Sequence, residues 1–222
     1  MFGHTVIYNF CSYYLQGYRE ISCGSAIKIA HQSIPDMRLH SHAINYGINQ
    51  GSSGQQSVTG MMSSNDHNSL WLVLGAAGTV CKTGAKVACG SKIRLSHLQT
   101  GLSLHSHEFS SPLSRNQEVS CHGDENRFDL NDDWEVECSE SFWERGNWFR
   151  LKHDSSGKLL HHTGSHVYSR PIEGQREISA VSYRDHNGTL TIHVAYSNPF
   201  LLLTPRFVES GRRYLYKSGE YG

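Results

Sequence analysis

An internal repeat constrains the fold of this chain more than any other feature of its sequence. Residues 23–31 read CGSAIKIAH, residues 89–97 read CGSKIRLSH, and a weaker third copy, GNWFRLKH, spans residues 146–153. In every copy, apolar residues stand four and two positions before the final histidine, which is the alternation of a half-buried β-strand. A repeat of this kind indicates one structural unit that is built three times.

Each copy continues with the same further elements. A histidine motif comes first, at residues 38–42 (RLHSH), 103–107 (SLHSH) and 159–162 (LLHH). A Gln-containing segment follows, at residues 54–60, 116–120 and 174–179. Trp71 and Trp134 then close the first two copies, whereas the third has no tryptophan at the matching place near His193. Four strands per copy predict about twelve short strands from Ser22 to about Val194, in an all-β barrel with pseudo-threefold symmetry that leaves no exposed sheet edge.

Composition narrows the functional classes. The chain has 222 residues, which suits one large domain with short tails. Lys plus Arg is 20 and Asp plus Glu is 20, so the formal net charge is zero and binding of nucleic acid through general charge is not expected. The sequence has no run of about 18 apolar residues, so we expect no membrane insertion. With 21 glycines against 5 prolines and 18% charged residues, the composition is typical of a turn-rich all-β chain.

Fifteen histidines make histidine the candidate functional residue. His40 with His42, and His105 with His107, are two residues apart and so share one face of a strand. A zinc site needs three or four converging ligands, and repetition would keep these pairs apart, so we expect no metal. Two interpretations remain: the side chains hold turn backbone, or they offer donors and acceptors to a sugar hydroxyl or a peptide carbonyl. The candidate ligand-binding residues are Arg38, His40, His42, Gln55, Gln56, His105, His107, Gln117, His161 and Gln175.

Other residues have simpler explanations. The histidines that end the alternating strands, His31, His97 and His153, are expected in the core or at the barrel rim, and Trp71 and Trp134 are expected in the core rather than stacked on a sugar. The sequence has no nucleophile elbow, phosphate loop or dinucleotide motif, so we predict no catalytic residue, no cofactor and no enzymatic activity. The acidic segments 124–125 and 129–133 are predicted to be solvated loop.

The remaining predictions concern loops, cysteines and the last strand. Residues 45–54 and 110–116 are loops by composition. None of the six cysteines forms a C-x-x-C pair, and in an oxidising compartment Cys81 is a candidate partner of Cys138. Residues 189–194 alternate well enough to close the barrel. Residues 187–189 (NGT) form a glycosylation sequon, which is meaningful only in the secretory pathway.

Several of these motifs resemble one known domain. The segments RLHSH (38–42), SGQQSVTG (53–60), LHSHEFSSPLS (104–114), NQEVS (116–120), DDW (132–134) and RPI (170–172) are similar to the MIR domain and, more narrowly, to the stromal cell-derived factor 2 family. The resemblance runs from about Ser22 to Ala180. It implies a β-trefoil of three MIR repeats that has no catalytic activity and works in the lumen of the endoplasmic reticulum. It also implies, as partners, a luminal J-domain co-chaperone, a BiP-type chaperone and misfolded client proteins.

The resemblance also sets the expected domain organisation. The trefoil is expected at residues 22–195, with repeats at about 22–80, 81–140 and 141–195 and with tails at 1–21 and 196–222. Family members carry a signal peptide, and many end in a retention tetrapeptide; neither is evident in residues 1–20 or in the final SGEYG. Apolar loop residues, namely Tyr46, Phe109 and Leu113, are expected to contact partners. Because MIR domains also occur in protein O-mannosyltransferases, recognition of mannosylated proteins or glycans by the repeat His and Gln residues is the alternative function.

Overall fold

The computed structural model describes residues 19–48, 51–124 and 126–196, and these residues form twelve β-strands, as the repeat predicts. Each copy of the repeat supplies four consecutive strands. The strands are β1 Ala26–His31, β2 Ile34–Asn45, β3 Gln56–Met62, β4 Trp71–Gly75, β5 Lys92–His97, β6 Ser103–Ser110, β7 Gln117–His122, β8 Trp134–Glu137, β9 Trp148–His153, β10 Leu159–Val167, β11 Arg176–Val181 and β12 Leu190–Tyr196. Single 3-10 turns at His67–Ser69, Leu130–Asp132 and His186–Gly188 precede β4, β8 and β12.

The strand pairing has threefold symmetry. Six strands close a barrel through the antiparallel pairs β1–β4, β4–β5, β5–β8, β8–β9, β9–β12 and β12–β1. The other six form the hairpins β2–β3, β6–β7 and β10–β11. These hairpins join one another in a triangle through β3–β7, β7–β11 and β11–β3. A six-stranded barrel capped by three hairpins is a β-trefoil, which confirms the predicted fold class.

The last barrel strand also forms where the sequence pattern indicates it. Strand β12 pairs with β1 on one side and with β9 on the other, so the barrel closes without an open edge. The predictions about a leader and a retention signal concern residues 1–20 and the final SGEYG, of which residues 1–18 and 218–222 lie outside the described residues. In the part of the chain that the structure describes, no helix combines the length and apolar character that a membrane span requires.

Period-two alternation builds the core. In β1, Ile27 and Ile29 are fully buried, and in β9 the same is true of Phe149 and Leu151. The strand-ending histidines His31, His97 and His153, expected in the core or at the barrel rim, are each at most 2% exposed, so all three are buried at the ends of their strands.

Ile21, Val87 and Trp143 fill the end of the barrel opposite the hairpins. The amide of Ile21 donates to the carbonyl of Trp143, that of Trp143 to Val87, and that of Val87 back to Ile21, at 2.8–2.9 Å. All three side chains belong to the core. Ile21 therefore packs within the trefoil.

The predicted Cys81–Cys138 pairing is wrong. The disulfides are Cys23–Cys81 and Cys89–Cys138, with Cα–Cα distances of 5.9 Å and 5.3 Å. Each joins the segment before the first strand of a repeat to the segment after its fourth strand, so Cys81 belongs with the first repeat, one residue beyond the expected boundary at about residue 80. Cys81 and Cys138 therefore occupy equivalent positions in successive repeats, and threefold symmetry holds such positions apart. Cys121 is a buried free thiol.

Candidate functional site

The first histidine of each predicted motif contacts an aspartate from the turn before the fourth strand of its repeat. The Nδ1 of His40 lies 2.6 Å from the carboxylate of Asp66, and the Nδ1 of His105 lies 2.9 Å from that of Asp132. In the third repeat, the Nε2 of His161 lies 3.2 Å from Asp185. A carboxylate accepts only, so each imidazole donates. The three contacts fasten a turn to a hairpin in three separate repeats, and they do not converge.

The second histidine of the motif has a different partner in each of the first two repeats. The His40 Nε2 accepts from the Nδ1 of His42 at 2.8 Å, since the other ring nitrogen of His40 is the donor to Asp66. Burial lowers the pKa of His42, and the neighbouring His40 lowers it further. Burial raises the pKa of Asp66, but hydrogen bonds from Ser69 and His40 outweigh it, so the net pKa is lowered. In the second repeat the His107 Nε2 donates to Glu118 at 2.9 Å.

Gln55, Gln175 and Asn116, which was not predicted, hold equivalent positions and join one repeat to the next. The carbonyl oxygen of Gln55 accepts from the Ser120 hydroxyl at 2.6 Å. The amide of Asn116 donates to Ser179 at 3.1 Å, and Gln175 accepts from Thr59. These contacts close a ring of three hydrogen bonds around the cap.

Gln56 and Gln117 occupy equivalent positions and hold turns. The Gln56 amide donates to Ser41 and to Thr100, at 2.8 Å and 2.9 Å. The Gln117 amide donates to the matching hydroxyls, Ser106 and Ser156, at 2.8 Å and 3.0 Å.

Arg38 also bonds within its own strand, where its guanidinium donates to the carbonyls of Pro35 and Met37. Burial lowers the pKa of this guanidinium, and the nearby carboxylate of Asp36 opposes the effect.

Of the ten candidate residues, seven are at most 7% exposed: Arg38, His40, Gln56, His105, Gln117, His161 and Gln175. His42, Gln55 and His107 are half-buried.

One group has the composition of a metal site. The ligand atoms of His105, Asp129 and Asp132 lie within 4.8 Å of one another. The histidine–aspartate contact within it recurs as His40–Asp66, so the fold itself explains the arrangement. The Asp132 carboxylate also accepts from the backbone of Asp129 at 3.0 Å, which completes the cap of the turn.

Two predictions about exposed groups are wrong. Asp132 and Asp133, expected in a solvated loop, are 1% and 3% exposed, and Asp133 accepts from the amide of Ala77 at 2.8 Å. Tyr46, expected to contact partners, is 5% exposed, and its hydroxyl donates to the carbonyl of Val58 at 2.7 Å. Asp133 and Tyr46 are thus buried because each forms a hydrogen bond with a backbone group of another segment, the amide of Ala77 and the carbonyl of Val58.

Apolar side chains are exposed on the loops that converge on the cap. We use the term cap loops for residues 46–48, 51–54, 109–116 and 167–175, which are the loops together with the adjoining strand ends, including Phe109 near the end of β6 and Val167 at the end of β10. Buried side chains of these segments meet in a small cluster of Tyr46, Tyr168 and Ile172. The half-buried Leu113 packs against this cluster. Carboxylates beneath them hold the backbone: Glu118 accepts from the amide of Ser53 at 3.1 Å, and Glu177 accepts from that of Leu113 at 2.7 Å. The exposed members are Ile48, Phe109 and Val167, at 72%, 50% and 48%.

Sequence reasoning missed two features of the third repeat. Trp148 is 41% exposed, whereas Trp71 and Trp134 are fully buried. Trp148 directly precedes the buried Phe149. Because neighbouring residues of a strand point to opposite faces, this position places the Trp148 side chain outside the core. The second feature is Leu190, which occupies the tryptophan position of the third repeat and lies three residues before the expected place near His193. The register, rather than the spacing, identifies it.

Comparison with known proteins supports one family. The family model of the MIR domain matches residues 37–141. Human stromal cell-derived factor 2 is 46% identical over 167 residues, which cover 75% of this chain and 77% of that protein. The crystal structure of the SDF2-like protein from Arabidopsis thaliana superposes with a TM-score of 0.75 at 38% identity, covering 79% of this chain and 96% of that one.

A more distant structural match involves an enzyme complex. The protein O-mannosyltransferase complex of S. cerevisiae, bound to the sugar donor, matches with a TM-score of 0.71 and 29% identity. The match covers 92% of this chain but 28% of the mannosyltransferase chain. The resemblance is thus to one part of that larger protein.

Proposed function

This chain belongs to the stromal cell-derived factor 2 family of MIR-domain proteins, and from this membership we propose that it is a non-catalytic adaptor of chaperone complexes in the lumen of the endoplasmic reticulum. Its partners are a luminal J-domain co-chaperone, a BiP-type chaperone and misfolded client proteins. The two disulfides support this location, because such bonds persist in the oxidising secretory pathway.

The distribution of polar and apolar side chains carries the proposal. Seven of the ten candidate polar residues are buried in contacts within the fold, so they are committed to holding it. The cap loops instead present Ile48, Phe109 and Val167 to solvent. Isolated exposed apolar residues are normal, but these three extend from loops that share one cluster. In this mechanism, they bind apolar segments of a misfolded client, and linkage to a co-chaperone raises the effective affinity.

The test measures binding of a permanently unfolded client. Reduced, carboxymethylated α-lactalbumin carrying a fluorescent label is titrated with the full chain, alone and with a purified luminal J-domain co-chaperone, and anisotropy reports binding. The variant Ile48→Ser, Phe109→Ser, Val167→Ser should bind the client at least about tenfold more weakly, which corresponds to about 1.4 kcal/mol.

Matched exposed apolar residues supply the control. Val80, Leu98 and Leu130 are 91%, 46% and 64% exposed and lie outside the cap loops. Their triple replacement by serine should leave client binding unchanged. Equal weakening by both triple variants, or by neither, would contradict the assignment of client binding to the cap loops.

The structural match to the O-mannosyltransferase complex favours a second candidate, recognition of mannosylated proteins or glycans. In this function the half-buried members of the predicted set, His42, Gln55 and His107, contact the ligand, and the buried members position them. An α-mannosyl Ser/Thr peptide and its unglycosylated twin are titrated separately and followed by heteronuclear NMR. Sugar-dependent shifts at these residues support the second function, and equal shifts with both peptides, centred on the cap loops, support the adaptor.

A further inference from the structure

The third repeat lacks an indole that the other two use to join barrel and cap. Trp71 and Trp134 pair with Ile27 and Ile93 in the barrel. Their indole N–H groups donate to the carbonyls of Leu39 and Leu104 in the hairpins, at 2.9 Å and 3.0 Å. In the third repeat the corresponding residue is Leu190, which has a smaller side chain and no donor.

A cavity lies beside Leu190. It offers about 10 Å³ to the centre of a water molecule, which is close to the space that one water needs. Three imidazoles face it among otherwise apolar groups. The lining residues are Ile29, Ala30, His31, Met37, Leu39, Leu160, His161, His162, Ile178 and Leu190. The smaller Leu190 side chain therefore lies beside unfilled space in the third repeat.

His162 stands where the other repeats have serine. It pairs with Ile178, just as Ser41 pairs with Val58 and Ser106 pairs with Val119. The two serine hydroxyls donate to backbone carbonyls at 2.7 Å. His162 is 3% exposed, and neither of its ring nitrogens has a hydrogen-bond partner among the described residues.

The groups around His162 disfavour a second proton on its ring. His31 from β1 lies with its ring centroid 5.4 Å away, His161 is the neighbour on β10, and Arg176 comes from β11. Strands β2 and β12 contribute Met37, Leu39 and Leu190 to the cavity, and these carry no charge. The Asp185 carboxylate is engaged with His161. Burial, reinforced by these positive or titratable neighbours, lowers the pKa of His162 to about 4.

We propose that His162 makes the third repeat the acid-sensitive unit of the trefoil, in which proton uptake by the buried ring opens the β10–β11 hairpin while the first two hairpins stay closed. Opening hydrates the imidazolium, and the existing cavity and the missing indole reduce the packing that is lost. It also exposes Leu160, Ile178 and Leu190, which are buried in the closed form. The proposal does not depend on the adaptor function.

Hydrogen–deuterium exchange of the full chain tests this directly. Exchange is measured at pH 7, 6 and 5, and each rate is corrected for the intrinsic pH dependence of exchange. Peptides from β10 and β11 should lose on the order of tenfold more protection between pH 7 and pH 5 than peptides from β2–β3 and β6–β7. An equal loss in all three hairpins would overturn the proposal.

The chain itself suggests the decisive variant. His162→Ser installs the residue of the first two repeats, and it should remove the excess acid loss in β10–β11. His162→Asn, which is also neutral, serves the same purpose if the serine variant does not fold. Retention of the excess loss in a folded variant would contradict the role of His162. An NMR titration of the His162 ring in the wild type that gives an unshifted histidine pKa would contradict it equally.

A variant at His97 is the control that distinguishes local opening of the third hairpin from acid destabilisation of the whole trefoil. Burial also lowers the pKa of His97 to about 4. Its ring is hydrogen-bonded at both nitrogens, to Thr100 and to the carbonyl of Asn68, each at 2.9 Å, and it packs on Trp71. His97→Gln should therefore leave the difference between the third hairpin and the others unchanged. Loss of that difference in His97→Gln would reassign the acid response.

Discussion

Trp71 packs against His97 across the boundary between the first and second repeats, with ring centroids 5.1 Å apart. Trp134 and His153 repeat this contact at 5.0 Å across the next boundary. At the third boundary His31 pairs with Leu190 in the register. The contacts at the three repeat boundaries therefore differ. Replacing the buried aromatic side chain with a smaller one should cost more stability at the first two boundaries, which have a tryptophan, than at the third.

Replacing Trp71 with leucine should lower the free energy of unfolding by about 2–4 kcal/mol, because it opens a cavity in the core and removes the indole donor to Leu39. Equilibrium urea denaturation measures the change. Trp148→Leu is the control, because that indole is 41% exposed, and it should change stability by no more than about 0.5 kcal/mol. Similar losses in both variants would contradict the packing role assigned to Trp71.

The contact between His40 and Asp66 distinguishes a structural histidine from a ligand-binding one. His40→Ala should cost about 2–3 kcal/mol of unfolding free energy, since it leaves the half-buried Asp66 carboxylate without its imidazole donor and opens a cavity. His67→Ala, at an exposed position in the adjoining turn, should have little effect. Chemical denaturation of both variants checks this. If His40→Ala kept full stability and lost only binding of the α-mannosyl peptide, His40 would be a ligand residue.

Stability should fall in mild acid partly through His97. Burial lowers its pKa to about 4 in the folded protein, whereas an unfolded histidine titrates near 6.5. The unfolded chain therefore binds the proton more tightly, and the stability present above about pH 6.5 is lost as the pH falls towards 4. We expect on the order of 2 kcal/mol of global unfolding free energy from this ring between pH 7 and pH 5, a loss that all three hairpins share.

Urea midpoints at pH 7 and pH 5 in constant salt measure that dependence. His97→Gln keeps a side chain that can donate to the Asn68 carbonyl but removes the titration. The variant should be less stable than the wild type at pH 7 and should lose less stability on acidification. An unchanged acid loss would show that other groups account for it.

The sequence predicted the features of the fold that local patterns encode. Alternation with a period of two assigns Ile27 and Ile29 to the interior without knowledge of any partner strand. Repetition of that pattern indicates three equivalent units, and twelve short strands in three units favour a closed barrel. The burial of Trp71 and His97 followed from the same reasoning.

The contacts of the candidate site were not predictable in this way, because they join residues that are far apart in the chain. Gln55 has the chemistry of a ligand-binding amide, but its partner is Ser120 in the next repeat. Asp132 belongs to an acidic run typical of solvated loops, and only its position beneath His105 buries it. The residue type was informative, whereas its partner depended on the register between repeats.

The cysteines provide the last test of the threefold arrangement. Digestion without reduction should yield Cys23–Cys81 and Cys89–Cys138 peptides, and a Cys81–Cys138 peptide would contradict the fold. The linked residues are 58 and 49 positions apart, so loss of either bond should cost about 2–4 kcal/mol.

Burial raises the pKa of the Cys121 thiol to about 12, so native protein should resist alkylation by iodoacetamide at Cys121 and react there after unfolding. Rapid labelling of Cys121 in folded protein would show that the second hairpin opens where the structure has it closed.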